Sequence, residues 1–437
     1  MSKKENISNN AEDMNAQLNT SLLAMANEDS ELIESIEEEK QKKLEERFTF
    51  KKYIKSFKVR DYILLVLLII SIVLLSAIML GKSMIISNLT DQSAADRWDE
   101  QGAGQVSIFL PQGLISNNST QTSMPSGTET ASVMKSADAE INAINTIRFN
   151  LVNSLNGILN SDDDDKSDDN PVVVETQEIT DDNEVVINDP LLGPYTYAFS
   201  GKGTIDIASS NESFNKVSGA NVIGVGGDFY LFHPMTLLSG SFIGPDDLLK
   251  DGVVLDANTA FKLFGSADIV GMEVDINNKP YFVRGVVAVN DNRMSKKAGS
   301  DGGYIFMDYE ALLKDGVTSG VDTIEFVSTD PYSGYLFTFL NTTENTNLSK
   351  DDIKVVQNTG RFTPGKLLTY VLSEWGVRSM VRSPIVYPYW ENIARAYEDI
   401  FAFLLVIEAI LIVFIVLVVV HFISKLYKEI FIKKIND

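Results

Sequence analysis

Two long apolar segments constrain the fold of this chain more than any other feature of its sequence. The first, Ile63 to Leu80, is interrupted only by Ser71 and Ser76, and the second, Phe401 to Ile423, has Glu408 as its only acidic residue. A helix rises about 1.5 Å per residue and a hydrocarbon core is about 30 Å thick, so each segment can cross a membrane. Both are too long and too uniformly apolar for the buried helix of a soluble protein. The sequence therefore predicts transmembrane helices over 63–86 and 399–423.

Basic residues flank the two predicted helices and set their orientation. They lie before the first helix and after the second: Lys51, Lys52, Lys55, Lys58, Arg60, Lys425, Lys428, Lys433 and Lys434. Because cytoplasmic flanks carry the excess of bases, we expect both termini in the cytoplasm of a bacterial cell and residues 87–398 outside it. The first apolar segment is too long for a signal peptide, which favours an uncleaved anchor. We expect a disordered and charged-helical tail over 1–47, and a short basic tail over 424–437.

The predicted exterior region carries nearly all of the net charge. Residues 87–398 contain 43 acidic and 21 basic residues, against a net charge of −23 for the whole chain. Such a surface repels nucleic acid, so we exclude nucleic-acid binding. An acidic insertion over 161–193 includes the run Asp162 to Asp165. The run lacks the alternating ligands and the glycine of an EF-hand loop, which favours a solvated loop over a weak calcium site.

The common catalytic and metal-binding patterns are missing from the sequence. It contains no P-loop, since Gly81-Lys82-Ser83 lacks the first glycine of that motif and ends an apolar segment. The two histidines, His233 and His421, have no nucleophile elbow beside them, and there is no cysteine. We therefore expect no enzyme activity, no metal and no cofactor.

Residues 221–289 read as a compact α/β unit. Val253 to Leu255 is a short apolar run that predicts a strand, and Asn258 to Phe264 predicts a short helix that ends at Gly265. Two further strands, Met272 to Ile276 and Tyr281 to Val289, are joined by a tight polar turn. Upstream, Ala131 to Leu159 carries a long apolar stripe at helical spacing.

The ordered pieces of this stretch resemble the extracytoplasmic core domain of MacB/FtsX-like ABC transporter permeases. The resemblance rests on Val253-Val254-Leu255, a helix ending Lys262-Leu263-Phe264-Gly265, Asp268 to Gly271, and a strand pair ending Val283 to Val287. It implies a membrane protein of the α+β class, with two transmembrane helices flanking a MacB-like extracytoplasmic α/β core domain. The resemblance extends from the first apolar segment to the second.

In that family, two permease subunits dimerise and cytoplasmic ATPases drive them, so that motion of the helices moves the exterior domain. The resemblance therefore implies an ABC ATPase and a second permease subunit as partners, besides the lipid bilayer. Family members have three spans after the core domain, of which this sequence contains the first, and we expect this chain to be a short form that completes its complex with other chains. The alternative is a membrane-anchored extracytoplasmic binding or regulatory protein without transport activity.

Seven residues are candidates for contacts with partner chains. Phe50, Tyr53, Ile54 and Phe57 recur at helical spacing between lysines, which predicts an interfacial amphipathic helix over 48–62. That helix serves either as a membrane anchor or as a contact for the ATPase. On the other side of the core domain, a helix that opens with Glu391 and Arg395 is expected to run unbroken into the second span.

Glu408 is the seventh candidate, because a carboxyl group in the outer leaflet is costly unless it is protonated or paired. The alternatives are a neutral group near the interface, a contact with a partner span, and proton transport. Tyr387, Tyr389 and Trp390 lie just outside the same span, where their composition predicts an aromatic belt at the membrane surface.

Overall fold

The computed structural model describes residues 36–42, 57–99, 102–115, 129–161, 194–210, 215–289, 292–300, 303–374, 381–382 and 384–436. The chain divides into two compact units, Met1–Met79 with Ile407–Asp437, and Leu80–Val406. Residues 36–42 form a short exposed helix, α1, inside the predicted charged-helix segment. The predicted amphipathic helix up to residue 56 and the acidic insertion from residue 162 lie outside the described residues.

The helical unit contains most of two long apolar helices, α2 over Val59–Ser87 and α12 over Tyr389–Asn436. Their most apolar windows have mean hydropathies of 3.3 and 3.5, and both are long and apolar enough to cross a membrane. Helix α12 runs 48 residues without interruption, so the helix that opens with Glu391 does continue into the second apolar segment, as the sequence predicts.

The second unit is built on a ten-stranded mixed sheet. Nine strands follow the order β10-β1-β9-β2-β3-β8-β5-β7-β4, and β6 pairs with β2 and β7. The strands are β1 Ala103–Phe109, β2 Tyr195–Ser209, β3 Lys216–Gly227, β4 Leu237–Gly240, β5 Gly252–Asp256, β6 Glu273–Ile276, β7 Lys279–Val287, β8 Tyr304–Asp308, β9 Thr323–Thr329 and β10 Lys354–Gln357. A separate two-stranded ribbon joins β11 Val381–Arg382 to β12 Ile385–Val386.

Nine helices of the described chain surround this sheet. They are α3 Ala94–Trp98, α4 Glu129–Ser161, α5 Phe229–Phe232, α6 Ala257–Phe264, α7 Arg293–Ala298, α8 Tyr309–Lys314, α9 Tyr335–Leu340, α10 Thr343–Thr346 and α11 Pro364–Glu374. The apolar stripe that the sequence predicts for α4 packs on the sheet, with Ile144, Ile147 and Leu151 buried beside Ile108 of β1 and Ile324 of β9.

The predicted α/β unit forms for local reasons. The Asp256 carboxylate accepts a hydrogen bond from the Thr259 backbone N–H at 2.6 Å and caps α6, and Gly265 ends it with a φ of 71°. Asn277 and Asn278 both have positive φ, which matches the twist of a two-residue hairpin between β6 and β7. Gly265 therefore ends a helix and Asn277-Asn278 form a tight turn, as the sequence predicts.

The predicted aromatic belt is wrong for two of its three members. Trp390 is 2% exposed and packs against Phe229 and His233, with ring centroids 5.9 and 4.2 Å apart. Tyr387 is buried with Phe109 of β1. These rings contribute to the core of the unit Leu80–Val406, where burial of their apolar surface outweighs an interfacial position.

Candidate functional site

The candidate site is a buried charge network, defined here as Asp91, His233, Glu325, Arg361, Glu391, Arg395 and Glu398. All seven residues belong to the unit Leu80–Val406. Six of them are 1–6% exposed, although acidic and basic side chains are seldom fully buried unless they are paired. Asp91 follows α2, Glu325 lies in β9, and the last three open α12. By way of the central sheet, the network therefore connects the segment that follows α2 to the start of α12.

His233 lies at one end of the network, between two carboxylates. Its Nδ1 is 2.9 Å from Asp91 Oδ1, and its Nε2 is 2.5 Å from Glu325 Oε2. Both nitrogens donate when the imidazole is protonated, so the charged form satisfies both carboxylates at once. The Trp390 ring covers the imidazole and excludes water from it.

The pKa of His233 reflects these contacts. Burial by itself lowers the pKa, because it disfavours the charged imidazolium. The negative charge of Glu325, hydrogen bonds with Asp91 and Glu325, and the charge of Asp91 outweigh that effect and raise the pKa to about 9. His233 is therefore a permanent cation at neutral pH, and the pair of carboxylates is the reason that it can be buried.

Two neutral side chains connect Glu325 to the second half of the network. The Ser107 hydroxyl in β1 donates to Glu325 Oε1 at 2.7 Å and accepts from Asn358 Nδ2 at 2.8 Å. Asn358 in turn accepts a hydrogen bond from Arg361 Nη1 at 3.1 Å. Each of these side chains has a hydrogen-bond partner on either side, so a continuous series of hydrogen bonds runs from Glu325 to Arg361.

Arg361 is the centre of the second half. Its Nη1 and Nη2 donate to the two oxygens of Glu391 at 2.7 and 2.9 Å, and its Nε donates to Glu398 Oε1 at 2.5 Å. Arg395 donates from Nε to Glu391 Oε1 at 2.7 Å, and its guanidinium lies 3.7 Å from the centre of the Tyr387 ring. The bidentate pair fixes both the distance and the orientation between the turn before α11 and the start of α12.

The protonation states of this half follow from the same geometry. Burial raises the pKa of Glu391, but the charges of Arg361 and Arg395 outweigh burial and lower it. Burial likewise opposes the charge of Arg361, whereas Glu391 and Glu398 hold the pKa of that guanidinium well above its usual range. Arg361 and Glu391 are therefore both ionised, and removing either one leaves a buried charge without its partner.

Gln105 of β1, the strand that also contains Ser107, fixes the segment between α2 and α3 to this strand. Its Oε1 accepts from the Ala94 backbone N–H at 2.8 Å, and its Nε2 donates to the Asp91 carbonyl at 2.8 Å. Its own backbone carbonyl accepts from the Asn358 N–H at 2.8 Å. The residues just after the first apolar helix are thereby held on β1, next to Asn358, which accepts a hydrogen bond from Arg361.

The network joins strands β1 and β9 to the start of α12 through charged and polar side chains. Ser107 donates its hydroxyl hydrogen to the carboxylate of Glu325, whose other oxygen contacts the imidazole of His233. The side chains of Ser107 and His233 are both 1% exposed. What the arrangement can do is hold several elements in one fixed geometry.

The seven residues predicted to contact partners have different positions in the structure. Glu391 and Arg395 come together in the network, and Glu408 is 7% exposed on α12. The Phe57 ring contacts Tyr62 and Phe422 of its own chain, with centroid distances of 5.6 and 5.4 Å. The remaining three, Phe50, Tyr53 and Ile54, lie outside the described residues. Contacts of any of these residues with another chain stay a prediction.

A second charged cluster, the Asp61 cluster, lies in the helical unit and consists of Phe57, Asp61, His421 and Lys425. Asp61 Oδ2 accepts from Lys425 Nζ at 2.6 Å and from the Lys58 backbone N–H at 2.8 Å. His421 Nε2 is 3.3 Å from the other oxygen of the same carboxylate. Lys425 Nζ also lies 4.7 Å from the centre of the Phe57 ring. One carboxylate therefore joins the start of α2 to the end of α12.

Sequence reasoning singled out His233, Glu391 and Arg395 but missed Asp91, Glu325 and Arg361. One signal was available for Glu325, which interrupts the run of β-branched and apolar residues from Thr323 to Val327. An acid in a strand that is otherwise apolar indicates a buried partner. No signal pairs it with His233, because 92 residues separate the two.

Comparison with known proteins identifies relatives of this chain. Residues 65–354 match the family described as MacB-like periplasmic core domain. A 74-residue stretch is 42% identical to the macrolide export ATP-binding/permease protein MacB of Chromobacterium violaceum and covers 16% of this chain and 12% of that protein. The chain thus aligns with only a small part of the curated relative.

Two solved structures are also similar. The periplasmic region of MacB from Actinobacillus actinomycetemcomitans is 13% identical, with a TM-score of 0.34, over 65% of this chain and 97% of that one. The extracellular domain of the transporter YknZ from Gram-positive bacteria is 14% identical, with a TM-score of 0.29, over 37% of this chain and 80% of that one. The family match covers well over half of the chain, and the chain belongs to the MacB/FtsX-like family of membrane proteins, with a MacB-like core domain between its two apolar helices.

Proposed function

We propose that this chain is a permease-type membrane subunit of an ABC transporter complex, in which motion driven by a partner ATPase is transmitted to the extracytoplasmic domain. The observation that carries the proposal is the position of the buried charge network at the opening of α12. The same helix continues without interruption through the apolar segment to Asn436. Family membership supports the assignment as a permease-type subunit. The network supports the proposal that motion of α12 is transmitted to the core domain.

The physical argument rests on the stiffness of the helix and on the cost of separating buried charges. A 48-residue helix is about 70 Å long, and α12 has no proline inside it to bend it. Breaking a buried ion pair costs several kcal/mol, more than an exposed pair. Rotation or translation at the start of α12 therefore moves the sheet with it more readily than it separates Arg361 from Glu391.

ATP hydrolysis is assigned to a partner chain, because this sequence has no P-loop. The contact with that partner is assigned to the predicted amphipathic segment over 48–62, on the side of the membrane that the flanking lysines place in the cytoplasm. A second permease subunit is expected to pack along the apolar helices, where Glu408 is a candidate contact. Both termini are then cytoplasmic and the core domain faces the cell exterior.

The test is crosslink-assisted purification of the full chain from native membranes, followed by mass spectrometry of the recovered proteins. We expect a nucleotide-binding subunit in near-stoichiometric amount. The variant Phe50→Ser/Tyr53→Ser is expected to lose that subunit, whereas Ile36→Ser, an exposed change in α1, is the matched control and keeps it. Recovery of extracytoplasmic proteins alone, or of no other protein, would contradict the proposal and favour a membrane-anchored binding or regulatory protein.

A further inference from the structure

The edge strand β10 borders an open groove in the core domain. Strand β10 is the last in the sheet order, and within the described chain it pairs only with β1. An edge strand of this kind has a row of backbone groups that can pair with another chain. Proteins often cover such an edge with a helix, but here α11 lies beside β10 and leaves a groove between them.

The register identifies which backbone groups face the groove. The Asn358 N–H donates to the Gln105 carbonyl of β1, so Asn358, Val356 and Lys354 direct their backbone groups toward β1. By the same alternation, Val355 and Gln357 direct theirs away from it. In the part of the chain that the structure describes, neither backbone has a hydrogen-bond partner on that side. One additional strand would satisfy both residues.

The groove has the size and lining that an extended chain needs. Its volume is about 420 Å³, and Phe337 and Val355 supply apolar surface along it. The α11 side is lined by Gly365, Thr369 and Ser373, three small residues spaced four apart. Such spacing places them on one face of the helix, so that face leaves room for the backbone of a strand.

The charge of the groove selects among possible occupants. Lys366 Nζ donates to Gln357 Oε1 at 2.9 Å and to the Thr359 carbonyl at 2.7 Å, which places a cation at one end of β10. Lys354 lies at the other end, about 10 Å away along the strand. The only acid among the residues that line the groove, Glu398, is already bonded to Arg361. The lining is thus basic in a domain that is otherwise strongly acidic.

We propose that the groove between β10 and α11 binds an extended acidic peptide segment of an extracytoplasmic partner, which adds as a strand to the edge of β10. The unpaired backbone groups of Val355 and Gln357 favour a peptide over a lipid acyl chain, which has no donors or acceptors to offer them. The lysines at the two ends favour acidic side chains flanking β-branched residues. The inference does not depend on a partner ATPase.

The test uses the full chain in nanodiscs of neutral lipid and a fluorescein-labelled nonapeptide of alternating valine and glutamate with blocked ends. Fluorescence anisotropy is expected to report saturable binding. Thr369→Trp fills the groove and is expected to weaken the affinity about ten-fold or more. Leu368→Trp is the matched control, because that exposed neighbour on α11 does not line the groove, and it is expected to leave the affinity unchanged.

A reversal of the two lysine charges provides a second test, which is informative even if Thr369→Trp perturbs the fold. The variant Lys354→Glu/Lys366→Glu is expected to lose the valine–glutamate peptide and to gain a valine–lysine peptide of the same length. Hydrogen exchange of residues 354–357 is expected to slow when the acidic peptide is added to the unmodified chain. Equal affinities for Thr369→Trp and Leu368→Trp would overturn the proposal. So would complete protection of 354–357 before any peptide is added, or loss of peptide binding when the experiment is repeated in nanodiscs of anionic lipid.

Discussion

Charged side chains link the two ends of the chain in two places, once in the core domain and once between α2 and α12, and the two places are built differently. In the core domain, the buried charge network has seven charged residues, six of them 1–6% exposed, and it passes through two strands of the sheet. In the helical unit, the Asp61 cluster has one carboxylate, and its partners His421 and Lys425 are 38% and 21% exposed. The first has several pairs that share members, and the second has one carboxylate that is contacted by Lys425 and His421.

The difference indicates where the chain is stiff and where it can adjust. In a low-dielectric interior, each partner of a buried pair is costly to leave alone, so the network permits essentially one geometry. A pair with solvent access exchanges protein contacts for water at little cost. We therefore expect motion that enters through the Asp61 cluster to be absorbed there in part, and motion at the start of α12 to be transmitted in full.

The largest effect is expected from Arg361→Met, which leaves Glu391 and Glu398 without their shared cation. Breaking a buried pair in this way costs about 3–5 kcal/mol, and we expect the midpoint of chemical unfolding of the core domain, measured in the full chain in detergent, to fall accordingly. Lys216→Met is the matched control, because Lys216 and Asp206 form an exposed pair, and it should leave the midpoint unchanged. Equal effects of the two substitutions would contradict the comparison.

The second-largest expected effect is a dependence of the free energy of unfolding on pH, which arises from His233. Its folded pKa of about 9 exceeds the ordinary value of 6.5, so its contribution is fully present below pH 6.5 and is lost as the pH rises toward 9. The difference corresponds to about 3 kcal/mol for this buried group. Thermal unfolding followed by circular dichroism from pH 6 to 9.5 should show this loss, and His233→Gln should remove the dependence. A wild-type midpoint that is constant over this range would contradict the assignment of His233 as a cation.

The smallest effect is expected from Asp61→Asn. The substitution removes the carboxylate charge that Lys425 and His421 both contact, but both of these side chains are partly exposed. We expect a smaller fall in thermal stability than for Arg361→Met, together with a broader distribution of distances between spin labels at Val59→Cys and Tyr427→Cys. The chain has no native cysteine, so these labels report only the chosen sites. A fall in stability as large as that of Arg361→Met would remove the distinction between the two places.

Local features of the fold could be predicted from the sequence because their causes are local. Gly265 ends α6 and the Asn277-Asn278 turn joins β6 to β7 through the backbone preferences of those residues. The continuity of α12 follows from the absence of proline or glycine between Tyr389 and Asn436. The prediction that the apolar segments are long enough to cross a membrane follows from their length and composition alone.

The rest depends on contacts between residues that are far apart in the sequence. Asp91 meets His233 across 142 residues, and Arg361 meets Glu391 across 30, and no spacing rule indicates either pairing. Strand β2, which begins at Tyr195, mixes polar residues and glycines with apolar ones and was not predicted, although its backbone pairs with three other strands. Trp390 was assigned to the membrane surface because an amphipathic ring suits an interface and a core equally well.

The central claim is that the buried charge network transmits motion of the helices to the core domain, and a distance measurement tests it most directly. Spin labels at Leu248→Cys, on a core-domain residue that is 98% exposed, and at Tyr427→Cys would be measured by pulsed electron resonance in the complex with its ATPase, with and without ATP. We predict a shift in the distance on ATP binding that Arg361→Met abolishes while the ATPase stays bound. An unchanged distance in the wild type, or the same shift in Arg361→Met, would contradict the account.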